Sequence, residues 1–201
     1  MVIWLIGLAG AGKTNIGREV FALLKERKPN VVFIDGDDFR TVMGDDLGHT
    51  IAAREVNAGR ISRLCRHLDS QGIDVVCSVL SIFHEWQRWN RKNFSRYFEV
   101  YIRVLFETVV ARDPKGLYRR ALAGEIKNVV GVDIEFPPPE FPDLVIDNDG
   151  QVESLTEIAR NIVDKIPWVK SPGPLGLTNK CAETVTEPEE PSGRRRGDLR
   201  G

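Results

Sequence analysis

A glycine-rich stretch close to the start of the chain, GLAGAGKT at residues 7–14, matches the pattern G-x-x-x-x-G-K-[ST]. An apolar run typical of a buried strand precedes it, and an apolar stripe at helical spacing follows it. In this context the glycines let backbone N–H groups surround phosphate oxygens, and the helix N-terminus adds partial positive charge. The residues predicted to hold a nucleoside triphosphate are Gly7, Ala9, Gly10, Ala11, Gly12, Lys13, Thr14 and Asn15.

Some of the side chains in and near this loop have the types that phosphoryl transfer needs. Lys13 is expected to reach the β- and γ-phosphates, and the Thr14 hydroxyl is expected to complete a Mg²⁺ shell. A second apolar run, VVFI, leads into Asp35 and Asp37. Carboxylates at that point can hold a magnesium-bound water and accept a proton from an attacking hydroxyl. A plain turn or an N-cap at Asp37 and Asp38 is the alternative interpretation.

The elements that must position these residues alternate between strand and helix. Buried strands are predicted at residues 2–6, 31–34, 73–79, 98–104 and 143–147. Helices are predicted between them, among others at residues 54–71 and 83–96, and "DGDDFR" at residues 35–40 is predicted as an acidic turn. This alternation predicts an α/β fold, a P-loop NTPase-like parallel sheet flanked by helices, with ligands at the carboxyl ends of its strands.

Two stretches lie outside this alternation. Residues 112–142 carry charges, glycines and the run PPP; they are too long and too polar for a simple connection, and they predict a mobile lid. Residues 171–201 are rich in Pro, Gly and Glu and have little to bury, which predicts a disordered C-terminal tail. The predicted organisation is a P-loop kinase domain at residues 1–170 followed by that tail.

Composition excludes several classes of protein. The formal net charge of −1 gives no overall attraction to nucleic acid. The first cation, Lys13, follows the N-terminal apolar run, and no stretch reaches the roughly 20 apolar residues that cross a bilayer. We therefore expect no nucleic-acid partner, no membrane segment and a cytoplasmic location. Basic residues gather locally, which favours a small anion: Arg112, Lys115, Arg119, Arg120 and Lys127.

A P-loop by itself fits a GTPase switch, an ATPase motor or a small-molecule kinase. The chain lacks the N-K-x-D motif with which a switch GTPase reads guanine. A motor would be longer and would end an apolar strand in a Walker-B acid. The paired acids Asp35 and Asp37 beside the loop therefore favour a small-molecule kinase.

Five segments together resemble the adenylylsulfate kinase family over about residues 2–167. They are the P-loop, DGDDFR, DLGHTIAAREVNAGRI, LSIFHEWQRWNR and, above all, ARDPKGLYRRALAGEIKNVVGVD. The resemblance implies ATP and Mg²⁺ as cofactors and a small-molecule nucleotide acceptor, adenosine 5′-phosphosulfate, which is phosphorylated on its ribose 3′-hydroxyl. A homodimer is left open.

The resemblance also implies roles by position. Asp35 would lie in the metal shell with Thr14, Asp37 would be the base for the hydroxyl, and Arg112 would contact ATP. Lys115 would approach the phosphates from the lid, so the implied catalytic residues are Lys13, Asp37 and Lys115. The residues implied for the acceptor are Asp37, Arg40, Arg54, Asn57, Ser81 and Lys115.

Spacing along the chain supports part of this assignment independently. Arg54 and Asn57 lie three residues apart and share a helix face with Ile61, and this face turns from apolar to polar at the helix N-terminus. A buried surface would open into a site there. A solvated arginine at position 54 and a solvated charge run around Lys115 are the alternative interpretations.

The chain departs from the family pattern where the acceptor is recognised. The family has aromatic residues at the positions of His49 and Val129, which sandwich the adenine, and an SPF or SPY segment where this chain has Ser81, Ile82 and Phe83. Loss of both rings is expected to weaken adenine recognition, because stacking contributes ~1–3 kcal/mol per base. The leading hypothesis is a kinase of adenylylsulfate. The alternative is a kinase of another nucleotide-linked small acid, such as cytidine diphosphoramidate. A non-catalytic nucleotide-binding regulator is a third hypothesis.

Overall fold

The computed structural model describes residues 1–150 and 154–169. Its five strands form one parallel sheet in the order β2-β3-β1-β4-β5, which confirms the predicted α/β architecture. The strands are β1 Val2–Ile6, β2 Val31–Asp35, β3 Asp74–Val79, β4 Tyr97–Arg103 and β5 Leu144–Asp147. The helices are α1 Lys13–Lys25, α2 Gly36–Val42, α3 Ile51–Ser70, α4 His84–Asn93, α5 Phe106–Arg112, α6 Leu117–Leu122 and α7 Leu155–Lys165. Within the two described ranges, no helix has the length and apolar character needed to cross a membrane.

The central strand β1 is apolar throughout because helices cover both faces of the sheet. Ile3 and Leu5 belong to a core cluster that includes side chains of α1 and α7. Trp4 and Ile6 point the other way, into a second cluster with residues of α3. Because both faces of β1 are buried, its position in the sheet is fixed. The place where the phosphate loop leaves the sheet is fixed with it.

The segment after β2 differs from the prediction, since DGDDFR forms the start of helix α2 and not a turn. Asp35 is the N-cap of this helix and accepts a hydrogen bond from the Asp37 N–H at 2.9 Å. Helix α3 begins at Ile51, three residues before the predicted start, because the Thr50 side chain caps it by accepting from Ala53 N–H at 3.2 Å. Local capping chemistry therefore sets both boundaries.

Residues 112–142, the predicted lid, pack against the domain through part of their length. Tyr118, Val129 and Ile134 of this segment are buried within the same core cluster as α1 and α7. Helix α6 gives the segment regular structure. Its function as a lid stays a prediction, and the predicted tail at residues 171–201 lies outside the described residues.

The end of this segment forms a strap, residues 136–143, along helix α4. His84 Nε2 lies 2.8 Å from the Pro138 carbonyl, Arg88 pairs with Glu140 at 2.7 Å, and Arg91 donates to the Phe141 carbonyl at 2.8 Å. The three helix residues share one face because they are spaced by four and three. The strap is the last part of the predicted lid together with residue 143, and it leads directly into β5.

Candidate active site

The phosphate loop leaves β1 and enters α1 through two glycines in the left-handed region. Gly10 has φ 75° and Gly12 has φ 92°, conformations that other residues adopt only with strain. A Cβ atom at Gly12 would also lie 2.9 Å from Asn148 Nδ2, so space as well as conformation restricts this position to glycine. The loop shape predicted from the sequence therefore has a local physical cause.

Lys13, the first residue of α1, turns its side chain back over the loop. Its Nζ donates to the Leu8 carbonyl at 2.7 Å. Burial lowers the pKa of Lys13 from 10.5 to about 8, although the carboxylates of Asp35 and Asp37 act in the opposite direction. The Lys13 ammonium is thus poorly solvated, and its hydrogen-bond partner is the Leu8 carbonyl.

This pKa predicts how nucleotide affinity depends on pH. Because the pKa in the folded protein is lowered to about 8, Lys13 loses its proton as the pH rises through that value, and the charge that attracts phosphate is lost. We expect the affinity for Mg-ADP, measured by calorimetry, to fall about tenfold between about pH 7 and about pH 9. Lys13→Arg, which keeps its charge, should flatten this dependence; an equally steep profile in that variant would contradict the assignment.

Asp35 connects the phosphate loop to α2. Its Oδ2 accepts from Thr14 Oγ1 at 2.7 Å, while its other oxygen caps α2 through Asp37 N–H. No group of three His, Cys, Asp or Glu side chains that could hold a metal occurs in the described residues. At an NTP site, phosphates and water supply most of the ligands of Mg²⁺. The Thr14 hydroxyl and the Asp35 carboxylate are oxygen donors of the required type.

Asp37 lies two residues after Asp35, in the first turn of α2, and faces Lys115 across the site. Lys115 Nζ is 3.4 Å from Asp37 Oδ2, and the two side chains are 81% and 79% exposed. An exposed pair of this kind contributes little to stability, so it can separate to admit substrate. Lys115 therefore lies beside Asp37, its role at the phosphates stays a prediction, and the Asp37 carboxylate is exposed to solvent.

The loop at residues 43–50 is held by arginine side chains. Arg40 Nη1 donates to the carbonyls of Leu47 and Gly48 at 3.2 and 3.1 Å. Arg60 forms a bidentate pair with Asp46 at 2.7 and 2.8 Å. These contacts fix the loop beside α2, where it borders the same edge of the sheet.

Arg54 joins this loop to the predicted lid. Its Nε donates to the His49 carbonyl at 2.9 Å and its Nη2 to the Asn128 carbonyl at 2.7 Å. Burial, and then the nearby Arg40, lower the pKa of Arg54. The two neighbouring guanidinium groups concentrate positive charge at this corner. Arg54 is half-buried and bonded to two backbone carbonyls, and its role in holding the acceptor stays a prediction.

The two positions without the family's rings differ in their surroundings. Val129 is 4% exposed and packs in the core, with its N–H donating to Asp133 Oδ1 at 2.6 Å. His49 is exposed, and its pKa is lowered by partial burial and then by Arg40 and Arg54. The imidazole is therefore mainly neutral at neutral pH, and only this side of the pair offers a planar face.

Three residues assigned to the site from the sequence lie apart from this network of contacts. The Ser81 hydroxyl accepts from Trp4 Nε1 at 3.3 Å, and its carbonyl accepts from Gln87 Nε2 at 3.0 Å, which ties Ser81 to β1 and α4. Asn57 is buried on α3, and Asn15 is exposed in the first turn of α1. Their assigned roles stay predictions.

The sequence did not single out Asn148 or Tyr118, which contact the phosphate loop. Tyr118 donates to the Ala9 carbonyl at 2.9 Å, and Asn148 Nδ2 donates to the Ala11 carbonyl at 2.9 Å. Arg112, assigned to ATP, donates to the Asn148 carbonyl at 2.7 Å. The position of Asn148 directly after the last strand was the signal available, since that is where parallel strands present ligand contacts.

A phosphate loop, two carboxylates and converging cations at the carboxyl edge of a parallel sheet define a P-loop kinase, a phosphotransferase that acts on a hydroxyl acceptor. The family model described as adenylylsulphate kinase matches residues 1–147. The chain belongs to the adenylylsulphate kinase family, whose members use ATP.

Relatives with different acceptors are similar to this chain. Cytidine diphosphoramidate kinase of Campylobacter jejuni is 41% identical over 171 residues, which cover 82% of this chain and 95% of that protein. Adenylyl-sulfate kinase of Halothermothrix orenii is 36% identical over 164 residues, covering 82% and 88%. The solved structure of Mycobacterium tuberculosis APS kinase CysC in complex with AMPPNP and APS has a TM-score of 0.75 at 32% identity, covering 82% and 95%.

Proposed function

We propose that this kinase transfers the γ-phosphoryl group of ATP to the ribose 3′-hydroxyl of a cytidine nucleotide that carries a small acid group, as cytidine diphosphoramidate does. The observation that carries the proposal is that exposed His49 and buried Val129 occupy the positions where the family resemblance implies two aromatic rings against adenine. A pyrimidine has a smaller face and depends less on two stacking partners. The 41% identity to a cytidine diphosphoramidate kinase supports the same acceptor.

The acid group of the acceptor would lie at the crowded guanidinium groups of Arg40 and Arg54. Both already donate to backbone carbonyls. An anionic oxygen is a stronger acceptor than a carbonyl, since charge-assisted hydrogen bonds are roughly twice as strong as neutral ones. The acceptor can therefore compete for these donors and place its ribose near Asp37.

In the proposed reaction the 3′-oxygen forms a bond to the γ-phosphorus while the bond to the β–γ bridging oxygen breaks, and ADP leaves. The hydroxyl proton passes to the Asp37 carboxylate. Lys13 and Lys115 neutralise the charge that collects on the transferring group. Bound Mg²⁺, held through Thr14 and Asp35, would supply further charge neutralisation.

Adenosine 5′-phosphosulfate is the second candidate acceptor. It is favoured by the family match and by the similarity to an APS kinase solved with APS. His49 keeps one planar face available to its adenine. The two candidates share ATP, Mg²⁺ and the residues around the transferring phosphoryl group, and they differ in the nucleobase. A cytoplasmic location belongs to the proposal for either acceptor, and a homodimer stays open.

Specificity constants for the two acceptors with Mg-ATP test the proposal. We expect cytidine diphosphoramidate to exceed adenylylsulfate by about five- to 150-fold in kcat/KM, the equivalent of one base stacking interaction. His49→Phe should shift the ratio towards adenylylsulfate. A Val129→Phe change is less informative, because Val129 is buried and a ring there would overpack the core.

A matched control is His67→Phe, since His67 is another exposed histidine, lies on α3 and contacts Gln71, the C-cap of that helix. Its acceptor ratio should equal that of the unmodified protein. A clear preference for adenylylsulfate would overturn the cytidine assignment and favour the second candidate. No activity on either compound would reject both.

A further inference from the structure

The end of β5 and the two residues after it, residues 147–149, lie beside the phosphate loop and contact it. Asn148 Nδ2 donates to the carbonyl of Ala11 at 2.9 Å, across 137 residues of sequence. The same amide nitrogen would lie 2.9 Å from a Cβ atom at Gly12, so the contact covers both residues of one peptide unit. Asn148 is half-buried there.

This peptide unit has a fixed geometry. None of the described peptide bonds is cis, so the Ala11 carbonyl and the Gly12 N–H point in opposite directions across a planar group. Fixing the Ala11 carbonyl towards Asn148 therefore points the Gly12 N–H away from Asn148. In the described part of the chain this N–H donates to no backbone carbonyl, which leaves it for a phosphate oxygen.

Asn148 is itself held by the ends of neighbouring elements. Its N–H donates to the Arg103 carbonyl at the end of β4 at 2.9 Å. Its own carbonyl accepts from Arg112 Nη2 at 2.7 Å. Next to it, Asp149 Oδ1 accepts from the Leu105 N–H at 2.6 Å. The side-chain amide is thus presented to the loop from a backbone fixed on three sides.

We propose that Asn148 is a positioning residue that fixes the Ala11–Gly12 peptide so that its N–H is aimed at the phosphates of the donor nucleotide. The inference rests on the use of ATP in the proposed function and is independent of the acceptor. It requires a side-chain donor at position 148. Aspartate has nearly the same shape but offers oxygen acceptors to a carbonyl oxygen and adds negative charge beside the phosphates.

The test is calorimetric binding of Mg-ADP and of Mg-pyrophosphate, which lacks a base and a ribose. Asn148→Ala should weaken both by about two- to twelvefold, the equivalent of one hydrogen bond. Asn148→Asp should weaken both by about five- to 150-fold, since it leaves the Ala11 carbonyl facing an acceptor. The melting temperature and the KM of the acceptor should change little, because Asn148 contacts the loop and not the core.

Asp147→Asn is the matched control. Asp147 precedes Asn148, is exposed and pairs with the Arg103 side chain. Asp147→Asn replaces a carboxylate by an amide, the reverse of the replacement in Asn148→Asp. It should leave both affinities within about twofold of the unmodified protein. Equal losses in this control, unchanged affinity in both Asn148 variants, or a loss confined to Mg-ADP would each overturn the inference. If the unmodified protein bound neither ligand, the proposed function would fail together with it.

Discussion

Lys13→Ala is expected to lower turnover by about 10²–10³-fold at saturating ATP while the protein stays folded. The Lys13 ammonium contacts the Leu8 carbonyl at the mouth of the loop and fills no core position, so its removal leaves the packing of β1 and α1 in place. Transition-state charge on the transferring phosphoryl group would lose one of the cations that neutralise it. Steady-state kinetics together with thermal unfolding would measure both parts of this expectation.

Lys25→Ala is a suitable control for this variant. Lys25 ends the same helix and donates to the Pro29 carbonyl at 2.9 Å, away from the phosphate loop. Its turnover should match that of the unmodified protein. Unchanged turnover in Lys13→Ala would remove Lys13 from the mechanism, and a large drop in its melting temperature would show a structural role.

Asp37→Asn is expected to lower turnover by about 10²–10⁴-fold, the usual effect of losing a general base. The change keeps the shape of the side chain and its place in the first turn of α2, while the Asp35 cap is untouched. ATP affinity should therefore fall much less than turnover. Single-turnover kinetics with saturating acceptor would separate the chemical step from product release.

Asp38→Asn removes the same charge one residue further along. Asp38 pairs with Arg18 at 3.3 Å on the exposed side of α2, and we expect turnover within about twofold of the unmodified protein. If Asp37→Asn reduced turnover less than tenfold, the base assignment would be wrong. If Asp38→Asn reduced turnover as much as Asp37→Asn, the loss would result from the lower negative charge of α2 as a whole and not from the loss of a base at position 37.

Features that depend on neighbours in sequence were predicted from the sequence. The phosphate loop, the strands and the sheet follow from glycine conformation and apolar periodicity, which are local properties. The contact of Arg54 with the Asn128 carbonyl could not be predicted, because it joins segments 74 residues apart and because every residue has a backbone carbonyl, whatever its side chain. The same reason hid Asn148, which acts on a peptide carbonyl.

Helix α5 and the surroundings of Ser81 were missed for a different reason. Helix α5 spans Phe106–Arg112, too short to display a clear apolar stripe. Ser81 has φ 53°, a conformation that serine adopts rarely. No pattern in the neighbouring sequence predicts it. In both cases tertiary contacts decide the local structure.

The anchoring of residues 112–142 has a consequence for the speed of nucleotide capture. Tyr118 and Val129 hold the backbone of this segment in the core, whereas Lys115 extends into solvent. Exposed side chains change rotamer within picoseconds to nanoseconds, while removing buried anchors requires local unfolding on the microsecond scale or slower. The Lys115 side chain can therefore move towards an arriving phosphate faster than the backbone around it can move. The first encounter with ATP then does not depend on closure of the whole segment.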